Sequence, residues 1–256
     1  MSRNFELLQK AEQEAQVELK QPQQIRNNTR SAQIASQLVS ENPHSALLLD
    51  DVSRQQVTKL VQQLFLLPGS CKAVVFSGIQ RGNGCSWMTS CSAELLARKT
   101  NSSICIVDAN FRSPTLHQYF QVSNNPGLAE AILGGGPVRQ FVQQLQPPNL
   151  WLLPCGSRSK DGPEVLGSEA CRAFITRLRA EFDFVLIDTP PMSIYSDTIA
   201  LGRLADGVAL VLEGNSTRRE ATRSAVQGLE KSSVRLLGVV FNKRQFPIPD
   251  FIYKRL

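Results

Sequence analysis

Apolar and polar positions divide this chain near residue 50. Before that point the clearest periodic set is Phe5, Leu7, Leu8, Ala11 and Ala15, which fits one face of a short helix. Gln21-Pro22-Gln23-Gln24 and Asn27-Asn28-Thr29 then lose the pattern, and the segment to Pro43 reads as a flexible linker. After it, residues 53–66 predict a helix that Pro68-Gly69 stops. From Lys72 onward, short apolar runs alternate with helical stretches. Strands are expected at 73–77, 104–107, 150–153, 184–188, 208–212 and 236–241, and helices at 86–99, 169–181, 197–205 and 217–230. Several of these strands are rich in Val, Ile and Leu without alternation, as strands covered on both faces are. Repeated strand–helix–strand order implies right-handed crossovers and a parallel sheet. The expected fold is α/β, a three-layer sandwich around a mostly parallel central sheet. Residues 51–256 would form it, and residues 1–50 would add a short helix and a linker.

In such a sheet, ligands bind beyond the carboxyl ends of the strands. Three features converge there. The first is Gly78 to Ser86, a Gly-rich turn between the strand at 73–77 and the next helix. It would aim backbone N–H groups at one spot, and the helix N-terminus would add about half a positive charge. Laid on the phosphate-loop pattern G-x-x-x-x-G-K-S/T, Gly84 takes the second glycine, Cys85 the lysine and Ser86 the metal-binding hydroxyl. Gly78 falls one residue early for the first glycine, where Ile79 stands. The other two features are carboxylates: Ile104–Val107 runs into Asp108, and Phe184–Ile187 runs into Asp188. A carboxylate at a strand end beside a phosphate loop can hold Mg²⁺ directly or through water.

Composition narrows the function classes. The 256 residues are 42% hydrophobic, enough for one substantial core. A formal charge of +6 without a dense Lys/Arg run gives no nucleic-acid surface. Six cysteines, at 71, 85, 91, 105, 155 and 171, show no metal-ligand spacing and fall mostly in apolar segments, so reduced core thiols are expected. With no signal peptide and no apolar run near 18 residues, the expected location is cytoplasmic.

Several segments, in order, resemble the cytoplasmic domain of the bacterial tyrosine kinases (BY-kinases) of capsule and exopolysaccharide systems. That family shares the P-loop class of the division-site and plasmid-partition ATPases. Ile106-Val107-Asp108-Ala109-Asn110-Phe111-Arg112-Ser113-Pro114 is similar to its second Walker A element, with core D-x-D-x-R-x-P. Pro126-Gly127-Leu128 and Leu153-Pro154-Cys155-Gly156 follow at the expected places, and Phe184 to Pro191 resembles its Walker B strand. Gly238-Val239-Val240-Phe241-Asn242-Lys243 is similar to the strand whose Asn faces adenine. The resemblance implies phosphoryl transfer from Mg·ATP to tyrosine hydroxyls. Arg81, Gly82, Asn83, Gly84, Cys85, Ser86 and Asn242 would bind ATP or ADP. Ser86, Asp108 and Asp188 would hold Mg²⁺, with Asp108 as base or metal ligand, and Tyr253 would stand where the family has its phosphoacceptors; the apolar, proline-stiffened tail around it predicts instead that Tyr253 anchors the tail against its own domain or a neighbouring subunit. It further implies a membrane polysaccharide co-polymerase or export complex as partner, a possible homo-oligomer, and membrane association through that partner.

The departures from the family pattern are as informative. Cys85 replaces the phosphate-binding lysine, and Asn110 replaces the second aspartate of the D-x-D pair. Removing one comparable electrostatic donor costs on the order of 10²–10³ in rate. Arg81 offers a substitute charge, although a guanidinium is not interchangeable with a point ammonium. A helix N-terminus would acidify the Cys85 thiol, but a tolerated neutral residue in a decayed site is the better reading. The oligomerisation motif E-x-x-R-x-x-R falls on Gln56, Lys59 and Gln62, and the C-terminal tyrosine cluster is reduced to Tyr253. Tyr119 and Tyr195 are expected to serve in packing. The leading expectation is a catalytically impaired relative that works as a regulatory or assembly partner. The alternatives are an active autokinase and, last, a partition-type ATPase, whose early loop lysine would stand near Gln80.

Overall fold

The computed structural model describes residues 49–157, 165–214 and 216–243. All belong to one of the two units into which the chain divides, Asn42–Leu256. The expected N-terminal helix, the linker to Pro43 and Tyr253 lie outside the described residues.

Among the described residues seven strands form one sheet: β1 (Ala73–Gly78), β2 (Ile104–Asp108), β3 (Gln143–Gln144), β4 (Leu150–Leu153), β5 (Phe184–Thr189), β6 (Gly207–Glu213) and β7 (Leu236–Asn242). Their order is β3-β4-β2-β5-β1-β6-β7. All neighbours pair in parallel except β3, which runs antiparallel to β4. The six expected strands are present within a residue or so of their predicted ends. Only β3, two residues long, has no counterpart in the apolar pattern, because Gln143 and Gln144 carry no apolar signal.

The helices are α1 (Asp51–Val61), α2 (Cys85–Lys99), α3 (Leu116–Tyr119), α4 (Leu128–Gly134), α5 (Glu169–Glu181), α6 (Asp197–Gly202) and α7 (Arg219–Lys231). The Asp50 carboxylate starts α1 by accepting from the Ser53 N–H at 2.6 Å. A π-turn, Gln62–Leu66, ends it, where a continuous helix is expected to Leu66. The expected helix at 197–205 stops at Gly202. The reason lies just beyond: Asp206 turns back to accept from the backbone N–H groups of Lys72 (2.6 Å) and Ala73 (2.8 Å), and it pairs with Arg179 at 2.6 Å.

Two apolar cores face opposite sides of the sheet, which makes the three layers. On one face, α1, the π-turn that ends it and α2 supply Val57, Val61, Phe65, Met88 and Leu96 against Val74, Phe76 and Leu186. On the other, α4, α5 and α6 supply Leu128, Ile132, Phe174, Leu178 and Leu201 against Val75, Val185 and Ile187. Phe76, Phe174 and Phe182 are fully enclosed, each contributing about 2–3 kcal/mol relative to exposure. Helix α2 is buried from Met88 to Ala97. Its Ser, Thr, Cys and Ala residues allow this, and the hydroxyls of Thr89 and Ser90 satisfy the carbonyls of Cys85 and Ser86. No helix among the described residues is long and apolar enough to cross a membrane.

Candidate functional site

The central strand β1 ends at the Gly-rich loop, and α2 begins directly after it. Gly82 and Gly84 take left-handed φ values of 85° and 80°, which an L side chain adopts only at a cost. Gly84 is closed to a side chain as well, since a Cβ there would lie 2.2 Å from the Asn242 amide nitrogen. Asn83 folds inward, and its side-chain oxygen accepts the Gln80 N–H at 2.8 Å. From the end of β7, Asn242 donates to the Asn83 carbonyl (3.0 Å) and Lys243 Nζ donates to the Gly82 carbonyl (2.7 Å). The loop is thus held by its own Asn and by the end of a strand two positions away in the sheet.

A cavity of about 370 Å³ opens over this loop. Arg81, Gly82, Asn83, Gly84, Cys85 and Ser86 all line it. Asp108 and Asp188 lie beneath it, fully buried and side by side in the register of β2 and β5. They are differently engaged. Asp108 spends its oxygens on three backbone N–H groups, those of Asn110, Thr115 and Leu116, each at 3.1 Å. Asp188 accepts the Ser86 hydroxyl at 2.5 Å on Oδ2, while Oδ1 is buried without a hydrogen-bond partner. Burial pushes both carboxyls up, Asp108 to about 7, with the neighbouring Asp188 charge adding to its rise, and Asp188 to about 6.

The orphaned Asp188 oxygen beside the Ser86 hydroxyl is a donor set that fits a hard divalent cation such as Mg²⁺. Among the described residues no cluster of three or more His, Cys, Asp or Glu side chains could hold a metal. An ion here would therefore lean on Ser86, Asp188, water and phosphate oxygens. Asn110 is occupied locally: its side-chain oxygen accepts the Ser113 N–H at 3.1 Å and tightens the turn after β2.

Cys85 is half-buried at the start of α2, beside Asp188. Burial first, and then the Asp188 charge, push its thiol well above the ordinary cysteine value. Burial, with Asp188 beside it, thus works against the acidified thiol that a helix N-terminus alone would give. The other five cysteines are buried and form no disulfide.

Arg112, Tyr195 and Lys243 also line the cavity, although the sequence reading gives none of them a role of its own. Tyr195, expected to serve only in packing, carries the Arg112 guanidinium 3.8 Å above its ring, and its hydroxyl lies 3.5 Å from an Arg81 nitrogen. Asn242 contacts the loop from behind and does not line the cavity. Tyr119 does pack, edge-on to Phe120. Beyond the site, α4 approaches the end of β4 at the paired motifs. The N–H of Leu128 donates to the Pro154 carbonyl at 2.8 Å, and a Cβ on Gly127 would fall 2.4 Å from Gly156 N and Pro154 O.

The family described as cellulose biosynthesis protein BcsQ matches residues 71–233. The tyrosine-protein kinase YwqD of Bacillus subtilis is 28% identical over 174 residues, covering 68% of this chain and 73% of that protein. The tyrosine-protein kinase ptk of Acinetobacter johnsonii is 25% identical over 199 residues, 77% of this chain but 27% of that longer protein. Among solved structures, the chimerical protein CapA2B2 superposes with a TM-score of 0.72 at 22% identity, over 83% of this chain and 91% of that one.

Proposed function

Because the chain belongs to the BcsQ-type P-loop NTPases, as a capsule- and exopolysaccharide-related relative of the bacterial tyrosine kinases, we propose that it binds nucleotide without turning it over and acts as a regulatory or assembly partner. One observation carries this reading. The phosphate loop keeps its backbone form, with glycines at 82 and 84 and Ser86 on Asp188, while the position that should hold a lysine holds a neutral thiol.

The cradle of residues 81–86 would receive the phosphates of ATP or ADP through backbone N–H groups and the N-terminus of α2. Ser86 and Asp188 would hold Mg²⁺, which neutralises phosphate charge when bound. Asp108 sits too deep, and too fully engaged with backbone, to reach a tyrosine hydroxyl without the turn at 110–116 opening. Asn110 adds no second carboxylate. The chain's own groups thus supply binding and orientation but little charge stabilisation for a transferring phosphoryl group. Calorimetric titration of the full-length protein with ADP, with and without Mg²⁺, is expected to show saturable binding that Mg²⁺ strengthens. Failure to bind in either condition would remove the reading.

The partner in this reading is a membrane polysaccharide co-polymerase or export complex, which would bring the chain to the membrane. In the family's oligomerisation motif only Lys59 keeps a charge, exposed like Gln56 on α1 and Gln62 at the start of the π-turn, so self-assembly would be weakened. Recovery of the full chain with such a co-polymerase, compared with a chain starting at Asp51, tests this. Equal recovery would place the docking surface on residues 51–256, and no recovery of either would count against the partner.

A further inference from the structure

The floor of the cavity offers a phosphate no side-chain cation: Cys85 is neutral, and Asp108 and Asp188 are acidic groups. Three cations stand on its wall: Arg81, Arg112 and Lys243. Arg112 is committed elsewhere, stacked on Tyr195 and 3.9 Å from Asp197. Arg81 is exposed and reaches outward to Tyr195. Lys243 alone of the three hydrogen-bonds the phosphate loop, through the Gly82 carbonyl at 2.7 Å. Its backbone takes a left-handed φ of 51°, uncommon for a lysine, directly after the end of β7. Asn242, the preceding residue, pins the same loop at Asn83. Its nearest carboxylate, Glu213, is 3.8 Å away and partly exposed, so the ammonium is not tied up in a strong pair.

We propose that Lys243 supplies the phosphate-binding cation that the loop has lost at position 85. The proposal rests on the nucleotide-binding reading above. When a nucleoside diphosphate or triphosphate occupies the cradle, the ammonium exchanges the neutral Gly82 carbonyl for a charged terminal phosphate oxygen, a stronger acceptor. No bond is made or broken in this exchange. The lysine reaches over the loop from a strand end 161 residues away in sequence from Gly82, and so leaves no trace in the loop's own pattern.

The test is calorimetry on the full-length protein with ADP and with AMP, both in Mg²⁺. Lys243→Met is expected to weaken ADP by about tenfold to a hundredfold, the range of one hydrogen bond to a charged group, and to leave AMP almost unchanged. Adding Cys85→Lys to Lys243→Met is expected to restore ADP affinity to at least the wild-type level, because the ammonium returns at the loop's own position. A purely structural latch predicts something else: ADP and AMP would weaken together, and Cys85→Lys would not rescue. Either that pattern or an unchanged ADP affinity in Lys243→Met overturns the assignment while leaving the binding reading intact. Wild-type protein that binds neither nucleotide overturns both.

Discussion

The buried floor of the cavity and its exposed rim differ in what fixes their chemistry. The floor is written into the sheet: Asp108 and Asp188 are adjacent in strand register, and Ser86 is tied to Asp188 from the first turn of α2. The rim is built from long side chains of separate segments, with Arg81 on the loop, Arg112 beyond β2 and Lys243 beyond β7. Backbone donors and packed carboxylates cannot move without the sheet. A cation on a flexible stem can arrive from any strand end that reaches the same mouth. On the proposed reading, a neutral residue at the loop's lysine position therefore removes one charge from one place and leaves the geometry of the loop standing.

Breaking the floor's support should have the largest effect. Gly84→Ala forces a left-handed alanine and sets a Cβ against the Asn242 amide. It is expected to cost about 2–3 kcal/mol of stability and to abolish nucleotide binding. Thermal unfolding and calorimetry check both. A wild-type melt would mean that the end of β7 does not hold the loop.

The floor's acidic pair gives the next effect, and its sign follows from the raised pKa values of about 7 and about 6. The folded protein keeps protons that the unfolded chain has already released, so metal-free stability falls as pH rises from about 4 to about 7. Asp188→Asn removes part of that loss. At pH 8 the metal-free variant is expected to be more stable than wild type by about 1–3 kcal/mol, a difference that disappears below about pH 4. Denaturant unfolding across that range would measure it. A constant difference at every pH would assign the effect to packing.

The floor and Arg81 on the loop were legible in the sequence, and the rest of the rim was not. Unbroken apolar runs ending in Asp108 and Asp188 identify doubly covered strands and place both carboxylates at one edge of the sheet. The Gly82–Ser86 spacing identifies the loop on the neighbouring strand end, beside Asp188. Helices α3 and α4 escape because they are short and are set by tertiary contacts. The Asp108 carboxylate caps the start of α3, and a glycine-only approach between Gly127 and Gly156 seats α4. Tyr195 and Lys243 escape for a related reason, since a side chain's reach across a cavity is not a period or a spacing. One signal was available for Lys243: it follows Asn242 at the same edge of the sheet as the loop.

The smallest expected effect sharpens the contrast from the floor's side. Burial and Asp188 hold the Cys85 thiol neutral, so iodoacetamide at pH 8 should leave it unmodified while labelling a small exposed thiol compound. Mass spectrometry of the alkylated protein reads this directly. Rapid modification at Cys85 would mean that the helix N-terminus outweighs the carboxylate beneath it.

The central claim, that this site retains nucleotide without turning it over, is tested most directly by incubating the full-length protein with Mg²⁺ and γ-labelled ATP and following the label. The account predicts label retained with the protein as intact ATP, with neither free phosphate nor phosphotyrosine accumulating. Release of phosphate, or its transfer to tyrosine, at the rate of lysine-bearing relatives would contradict it.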